Sequence, residues 1–140
     1  MPERPYPEYA ALTGAFAGVV GGFLLFASRR LPERIGFGDV VRIGLTSYKI
    51  GRLVAKDDVT SWVRAPVTKD EEGSEPKPEG AARALGELVT CPYCVGVWTS
   101  AGLSCALVLL PRETRLVTTI FSAQAVADFL NAAFVRLKSE

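Results

Sequence analysis

Three stretches of this chain run the length of a bilayer with almost no charge. Residues 9–28 and 88–111 carry none, and residues 116–135 carry only Asp128. A helix needs about 20 mostly apolar residues to cross a ~30 Å hydrocarbon layer, and each run is that long. Helices of soluble domains are amphipathic and seldom stay uncharged over such a length. The competing arrangement is a soluble bundle of three buried helices, but 140 residues leave too little polar chain to wrap three helices that are apolar all round. The pattern predicts an all-α polytopic membrane protein with three transmembrane helices. The first run is read as a retained helix rather than a cleaved signal. The segment ahead of it is not strongly basic, and Arg29, Arg30 and Arg34 follow it as a stop.

Residues 36–55 have another character. Asp39, Arg42, Thr46, Lys49, Arg52 and Lys56 share one side of a helical wheel, and Val40, Ile43, Ile50 and Val54 share the other with Gly44 and Gly51. Each charge at a bilayer centre costs roughly 2.5–3.5 kcal/mol, while each Leu, Ile, Phe or Val returns only about 0.3–0.6 kcal/mol. The segment is therefore expected to be an amphipathic helix lying in the membrane interface. The alternative is a fourth span whose basic face is hidden against protein. Residues 67–81 are acidic, rich in Pro and Gly and without periodicity, which predicts a flexible loop.

Lys and Arg bias sets orientation. With three spans and the amphipathic helix on the cytoplasmic side, only Arg4, Arg112 and Arg115 face outward. This predicts an N-terminus outside, a C-terminus inside and a tight hairpin at residues 111–115.

Composition narrows the chemistry. There is no histidine, which excludes Ser-His-Asp and Cys-His catalysis and HExxH metal sites. A formal charge of +1 gives no basic field for nucleic acid. Three cysteines are too few for a disulfide scaffold or a four-cysteine zinc site within one chain. Cys91 and Cys94 form a CxxC in which Thr90 is the expected N-cap and Pro92 occupies the first helical turn. A helix N-terminus favours thiolate, so this pair is the candidate for thiol exchange, or for half of a metal site completed by a second chain. Glutaredoxins use the same tetrapeptide, but on a βαβ pattern that this sequence lacks. Cys105 sits among apolar residues and reads as packing. Gln124, Asp128 and Asn131 share a helix face, and Arg42, Lys49 and Arg52 are the candidate partners for the Asp128 carboxylate in a structural ion pair. Gly14, Gly18 and Gly22 repeat the GxxxG spacing that lets membrane helices approach closely.

Two blocks carry a resemblance. The first, residues 52–66, reads RLVAKDDVTSWVRAP, and the second, residues 86–98, reads GELVTCPYCVGVW. Together they resemble the DUF1360 family of small bacterial membrane proteins, over roughly residues 40–134. The resemblance implies an all-helical protein of the bacterial cytoplasmic membrane. It puts Arg52, Asp57, Ser61, Arg64, Pro66, Glu87, Cys91, Cys94 and Trp98 in motif positions, with the CxxC and the charged block in one cytoplasm-facing site, and it supplies no enzyme activity. The chain then divides into residues 1–35, a tail and a glycine-rich span, and residues 36–140, the family-like region. The expected function is that of a non-catalytic structural or assembly subunit, without a cofactor. Its partners would be the lipid bilayer and a membrane protein or a second copy. A thiol redox or sensing role for Cys91 and Cys94 is the alternative, and an intersubunit metal site the second.

Overall fold

The structure is a computed structural model and describes residues 6–32, 35–69, 75–78 and 80–139. Among the described residues six α-helices follow one another: α1 (Tyr6–Ala27), α2 (Phe37–Lys56), the single turn α3 (Ser61–Arg64), α4 (Gly80–Thr90), α5 (Pro92–Leu109) and α6 (Pro111–Ser139). Three of them, α1, α5 and α6, are long and apolar enough to cross a membrane. Among the described residues the only β-type pairing is an isolated bridge between Thr68 and Pro76.

Three boundaries differ from the sequence reading, each for a local reason. The run at 88–111 is not one helix. Pro92 has no N–H to continue α4, so the chain breaks at Cys91 and α5 starts with Pro92 in its first turn. The hairpin expected at 111–115 is a single residue, Leu110 (φ −133°, ψ 66°). Pro111 pre-sets the φ of a first helical residue, so residues 111–115 are already helix α6. The loop at 67–81 is pinched at its base, where the Lys69 amide donates to Glu75 (2.9 Å) and the Lys77 amide to Val67 (3.0 Å). The flexibility expected of its middle falls on residues 70–74 and 79, which lie outside the described residues.

Helix α2 is amphipathic as its pattern predicts, and its packing is extensive. It runs antiparallel to α5: Gly51 meets Pro92, and Ser47 faces Gly96 one turn further on. Near the far end Asp39 shares a small cavity with Leu107 and Pro111. It runs parallel to α6. Asp39 takes a two-pronged contact from Arg115 (3.2 Å on each carboxylate oxygen), the Thr46 hydroxyl donates to the Thr118 carbonyl (3.0 Å), and the Lys49 ammonium reaches Asp128 (2.6 Å). Asp39, Thr46 and Lys49 of the polar stripe therefore face α6, while Arg52 and Lys56 at the end of the helix stay exposed. Helix α1 lies parallel to α5: Tyr9 donates to Glu87, and Phe16 packs edge-on against Trp98 at 5.0 Å. The result is an up-down-up-down bundle of α1, α2, α5 and α6. The start of α1 and the last turns of α6 lie at the same end, beside the junction where α2 finishes and α5 begins.

The interior is small and polar and the exterior is large and apolar. Thr46, Ser47, Thr114, Thr118, Ser122 and Ala125 are buried, whereas Leu25, Phe26, Leu116, Ile120, Leu130 and Phe134 point outward. Water would invert that distribution. In lipid, helix association relies on close backbone approach and interhelical hydrogen bonds, which small and hydroxylated residues provide. The tightest approach is at Gly51, where an added Cβ would lie 2.5 Å from the Pro92 carbonyl oxygen.

Gly51→Val is therefore expected to destabilise the bundle by about 1–3 kcal/mol, because the facing atom is backbone and cannot rotate away. Gly18→Val meets open space and is expected to leave stability unchanged. Denaturant titration in mild detergent, followed by tryptophan emission, distinguishes the two. For the ion pair, Lys49→Met and Asp128→Asn should each lower the melting temperature. The double substitution should cost less than the two losses combined, because neither variant then leaves a lone charge.

Candidate functional site

Most of the chemistry suggested by the sequence converges on the end of the bundle where α2 stops and α5 starts. The first block of the motif is a helix clamp. Arg64 is only 2 % exposed. Its guanidinium donates to the carbonyls of Val54 (2.6 Å) and Asp57 (3.0 Å) and to the Thr60 hydroxyl (3.3 Å). Thr60 in turn donates to Leu53 and Asp57. The final carbonyls of a helix have no partners within it. Arg64 and Thr60 supply those partners to α2, a structural duty for both; Asp57 contributes only its backbone carbonyl to this clamp. The second block ties α4 to its neighbours. Glu87 accepts from Tyr9 of α1 and from Arg83 (3.0 Å), and Trp98 holds Phe16.

The two thiols sit between these blocks. The N-cap of α5 is Cys91 rather than the expected Thr90. Thr90 is the last residue of α4, and its hydroxyl donates back to Gly86 (2.8 Å). The Cys91 sulfur accepts from the Cys94 amide at 3.3 Å, so the CxxC caps its own helix. Cys91, Cys94 and Cys105 are all free thiols. Burial pushes the Cys91 thiol up. Hydrogen bonds from the Cys94 side chain and from the Cys94 and Tyr93 amides, together with the Lys56 charge, outweigh burial and hold it below its ordinary value. The pair supplies two sulfurs, and among the described residues no group of three or more His, Cys, Asp or Glu could hold a metal ion.

Two cavities flank α2 here. One, about 660 Å³, runs between α2 and α5 past Gly96 and Val97, with Arg52, Lys56 and Tyr93 at its polar end. The other, about 410 Å³, lies on the α6 side and collects Lys49, Arg52, Asp57 and Asp128. Of the three candidate partners for Asp128, Lys49 makes the contact, Arg42 is on Asp39 (2.5 Å), and Arg52 is on the Tyr48 hydroxyl (3.4 Å). Gln124 also donates to Asp128 (3.3 Å). Gly14, Gly18 and Gly22 lie away from this end, and a Cβ on any of them would meet nothing within 4 Å.

Sequence reasoning gave no role to Gly51, Tyr9 or Lys56. The sequence carries a signal for Gly51: Ser47 and Gly51 on α2, and Gly96 and Ser100 on α5, are small residues four apart, the same spacing as the glycines of α1.

Cys91 is expected to alkylate at a lower pH than a peptide thiol under the same conditions, because a depressed pKa leaves thiolate present further down the pH scale. Lys56→Gln removes the neighbouring charge and should move that midpoint upward. Iodoacetamide labelling of a Cys105→Ala chain that keeps Cys94, with Cys91 and Cys94 resolved by peptide mass spectrometry, with and without Lys56→Gln, reads the effect of Lys56.

The comparisons with known proteins agree with these blocks. The family described as "Protein of unknown function (DUF1360)" matches residues 43–134, from α2 through most of α6. The chain is 26% identical over 113 residues to UPF0713 protein YngL of Bacillus subtilis (strain 168), an alignment covering 75% of this chain and 87% of that protein. No solved structure matches the chain. With the family match extending over well more than half its length, this protein belongs to the DUF1360 family.

Proposed function

We propose that this protein is a non-catalytic membrane subunit, a four-span bundle that offers the glycine face of α1 to a transmembrane helix of a partner or of a second copy. The observation that carries the reading is the contrast between two sets of glycines. Gly51 is filled by a neighbouring backbone, whereas Gly14, Gly18 and Gly22 face open space on a helix whose only buried residue is Ala27. A smooth helix face gains from close packing with another helix. Helix α1 is anchored to its own chain through Tyr9 and Phe16, which leaves that face available.

In this reading α2 is the fourth span. Its 20 residues reach about 30 Å at 1.5 Å per residue, the thickness of the hydrocarbon layer. Its charges are offset by Arg115 and Asp128 of α6. Both termini then share one side of the cytoplasmic membrane. The positive-inside rule favours the cytoplasm for that side, because Lys56, Arg64, Lys69, Lys77, Arg83, Arg136 and Lys138 lie there, against Arg29, Arg30, Arg42, Arg112 and Arg115 at the other end. Exposed Trp62 and Tyr93 suit the headgroup level at the cytoplasmic end.

A second reading is favoured by the lowered Cys91 thiol: exchange with a partner disulfide. The Cys91 thiolate would attack one partner sulfur and release the other as a thiol. Cys94 would then displace the first sulfur, leaving Cys91 and Cys94 oxidised and the partner carrying two thiols.

The test uses single cysteines in a chain with Cys91, Cys94 and Cys105 replaced by Ala. Glu8→Cys and Arg136→Cys should both be protected from an impermeant maleimide in spheroplasts, while Arg30→Cys and Arg112→Cys should label. Gly18→Cys should form a cross-link on mild oxidation, and Gly18→Leu should abolish association while leaving the melting temperature unchanged. Labelling of only one terminus would overturn the four-span arrangement. A monomer insensitive to Gly18→Leu would overturn the packing role. A phenotype lost in Cys91→Ser but kept in Gly18→Leu would favour the thiol reading.

A further inference from the structure

We infer that the cleft between α2 and α5 is a binding site for an anionic phospholipid, its acyl chain lying along Gly96 and Val97 and its phosphate held by Arg52 and Lys56. The cleft exists because small residues line the seam where the two helices nearly touch, and its volume of about 660 Å³ is in the range that small-molecule sites occupy. Its two ends differ. Towards the middle of α5 the wall is Gly96, Val97 and Ser100, and at the junction it is Arg52, Lys56 and Tyr93. That polarity matches an amphiphile with one negative head.

The charge state of the head end makes the match specific. Arg42, Lys49, Arg83 and Arg115 each pair with a carboxylate, but no described carboxylate lies within 4 Å of Arg52 or Lys56. Arg52 donates only to the neutral Tyr48 hydroxyl (3.4 Å). Asp57 and Asp128 lie on its other side, where Asp128 is held by Lys49. Arg52 and Lys56 are four apart on α2, so both project to the same face at the last turn of the helix. Two unpaired cations at the level of the headgroups attract anionic lipid, and a guanidinium matches phosphate geometry. The inference requires the bundle to lie in a bilayer but does not require the α1 contact.

The probe is an equimolar mixture of phosphatidylglycerol and phosphatidylcholine with identical chains, loaded onto the detergent-purified full chain. Lipids surviving partial delipidation are read by native mass spectrometry. The wild-type chain should retain phosphatidylglycerol about tenfold over phosphatidylcholine, and Arg52→Gln with Lys56→Gln should bring the ratio close to one. Arg29→Gln with Arg112→Gln removes the same charge at the opposite end and should keep the preference. Arg52→Lys with Lys56→Arg should also keep it, which guards against simple misfolding. Val97→Trp should lower retention of both lipids by filling the place of the chain. A wild-type ratio near one, an unchanged ratio in the Arg52 and Lys56 variant, or an equal fall in the Arg29 and Arg112 variant would overturn the site. So would displacement of the lipid by millimolar glycerol phosphate, which would make the head alone the ligand. A ratio near one with Arg52 and Lys56 both in place, while the Gly18→Cys cross-link still forms, would reject this site and leave the α1 contact standing.

Discussion

The polar stripe of α2 governs the arrangement of everything around it. Asp39, Thr46 and Lys49 each find a partner on α6, in Arg115, Thr118 and Asp128. Left facing lipid, those groups would cost several kcal/mol together. Paired, they fix the rotation of α2 about its axis and its register against α6. Once the stripe faces α6, Ser47 and Gly51 face α5, and the close contact with Pro92 and Gly96 follows. The hairpin of α5 and α6 is too short, at one residue, to let either helix slide independently. A single set of charges thus determines which way three helices face.

The same constraint makes the two ends of the bundle differ. At the far end one residue, Leu110, joins two helices. At the near end α2 and α5 are joined by α3, the pinched loop and α4. Such a long connection needs fastening. Arg64 and Thr60 hold the end of α2, Glu87 holds α1, and Cys91 caps α5. Several motif residues that resemble a catalytic cluster in composition make helix-end contacts of this kind. Arg52 and Lys56 are different, because their cations carry no such structural duty.

Much of the fold was legible in the sequence because few architectures besides a membrane bundle accommodate apolar runs of bilayer length. Residues 9–28 and 116–135 coincide closely with α1 and with the middle of α6, and the 3.6-residue pattern of 36–55 marked out α2. Its contacts were harder to read. A transfer-energy argument counts each charge as if alone, and Lys49 and Asp128 are 79 positions apart, so their pairing is invisible to any local window. Naming Lys49 among the partners of Asp128 was possible because the helix face could be drawn; the direction in which α2 lies could not. The CxxC was legible as a helix start, but its cap was misplaced by one residue. Thr is the commoner N-cap, and nothing local announces that a sulfur will accept the Cys94 amide instead. At the site itself, the small-residue seam at Gly51 shares its spacing with the glycines of α1, and spacing alone does not say which stripe is packed and which is bare.

The boundary of the family match has a physical counterpart. It begins within α2 and excludes α1. The matched region holds the packed trio α2, α5 and α6, whose core is closed by its own hydroxyls and ion pairs. Helix α1 adds little burial to that trio, yet the matched region holds residues that receive it: Glu87 accepts the Tyr9 hydroxyl, and Trp98 presents its ring to Phe16. Both receiving residues lie in the second motif block. A helix held at two points, with its glycine face turned away, can be docked upon without disturbing the packing beneath. In the proposed reading the trio is the base, and α1 the surface that it displays.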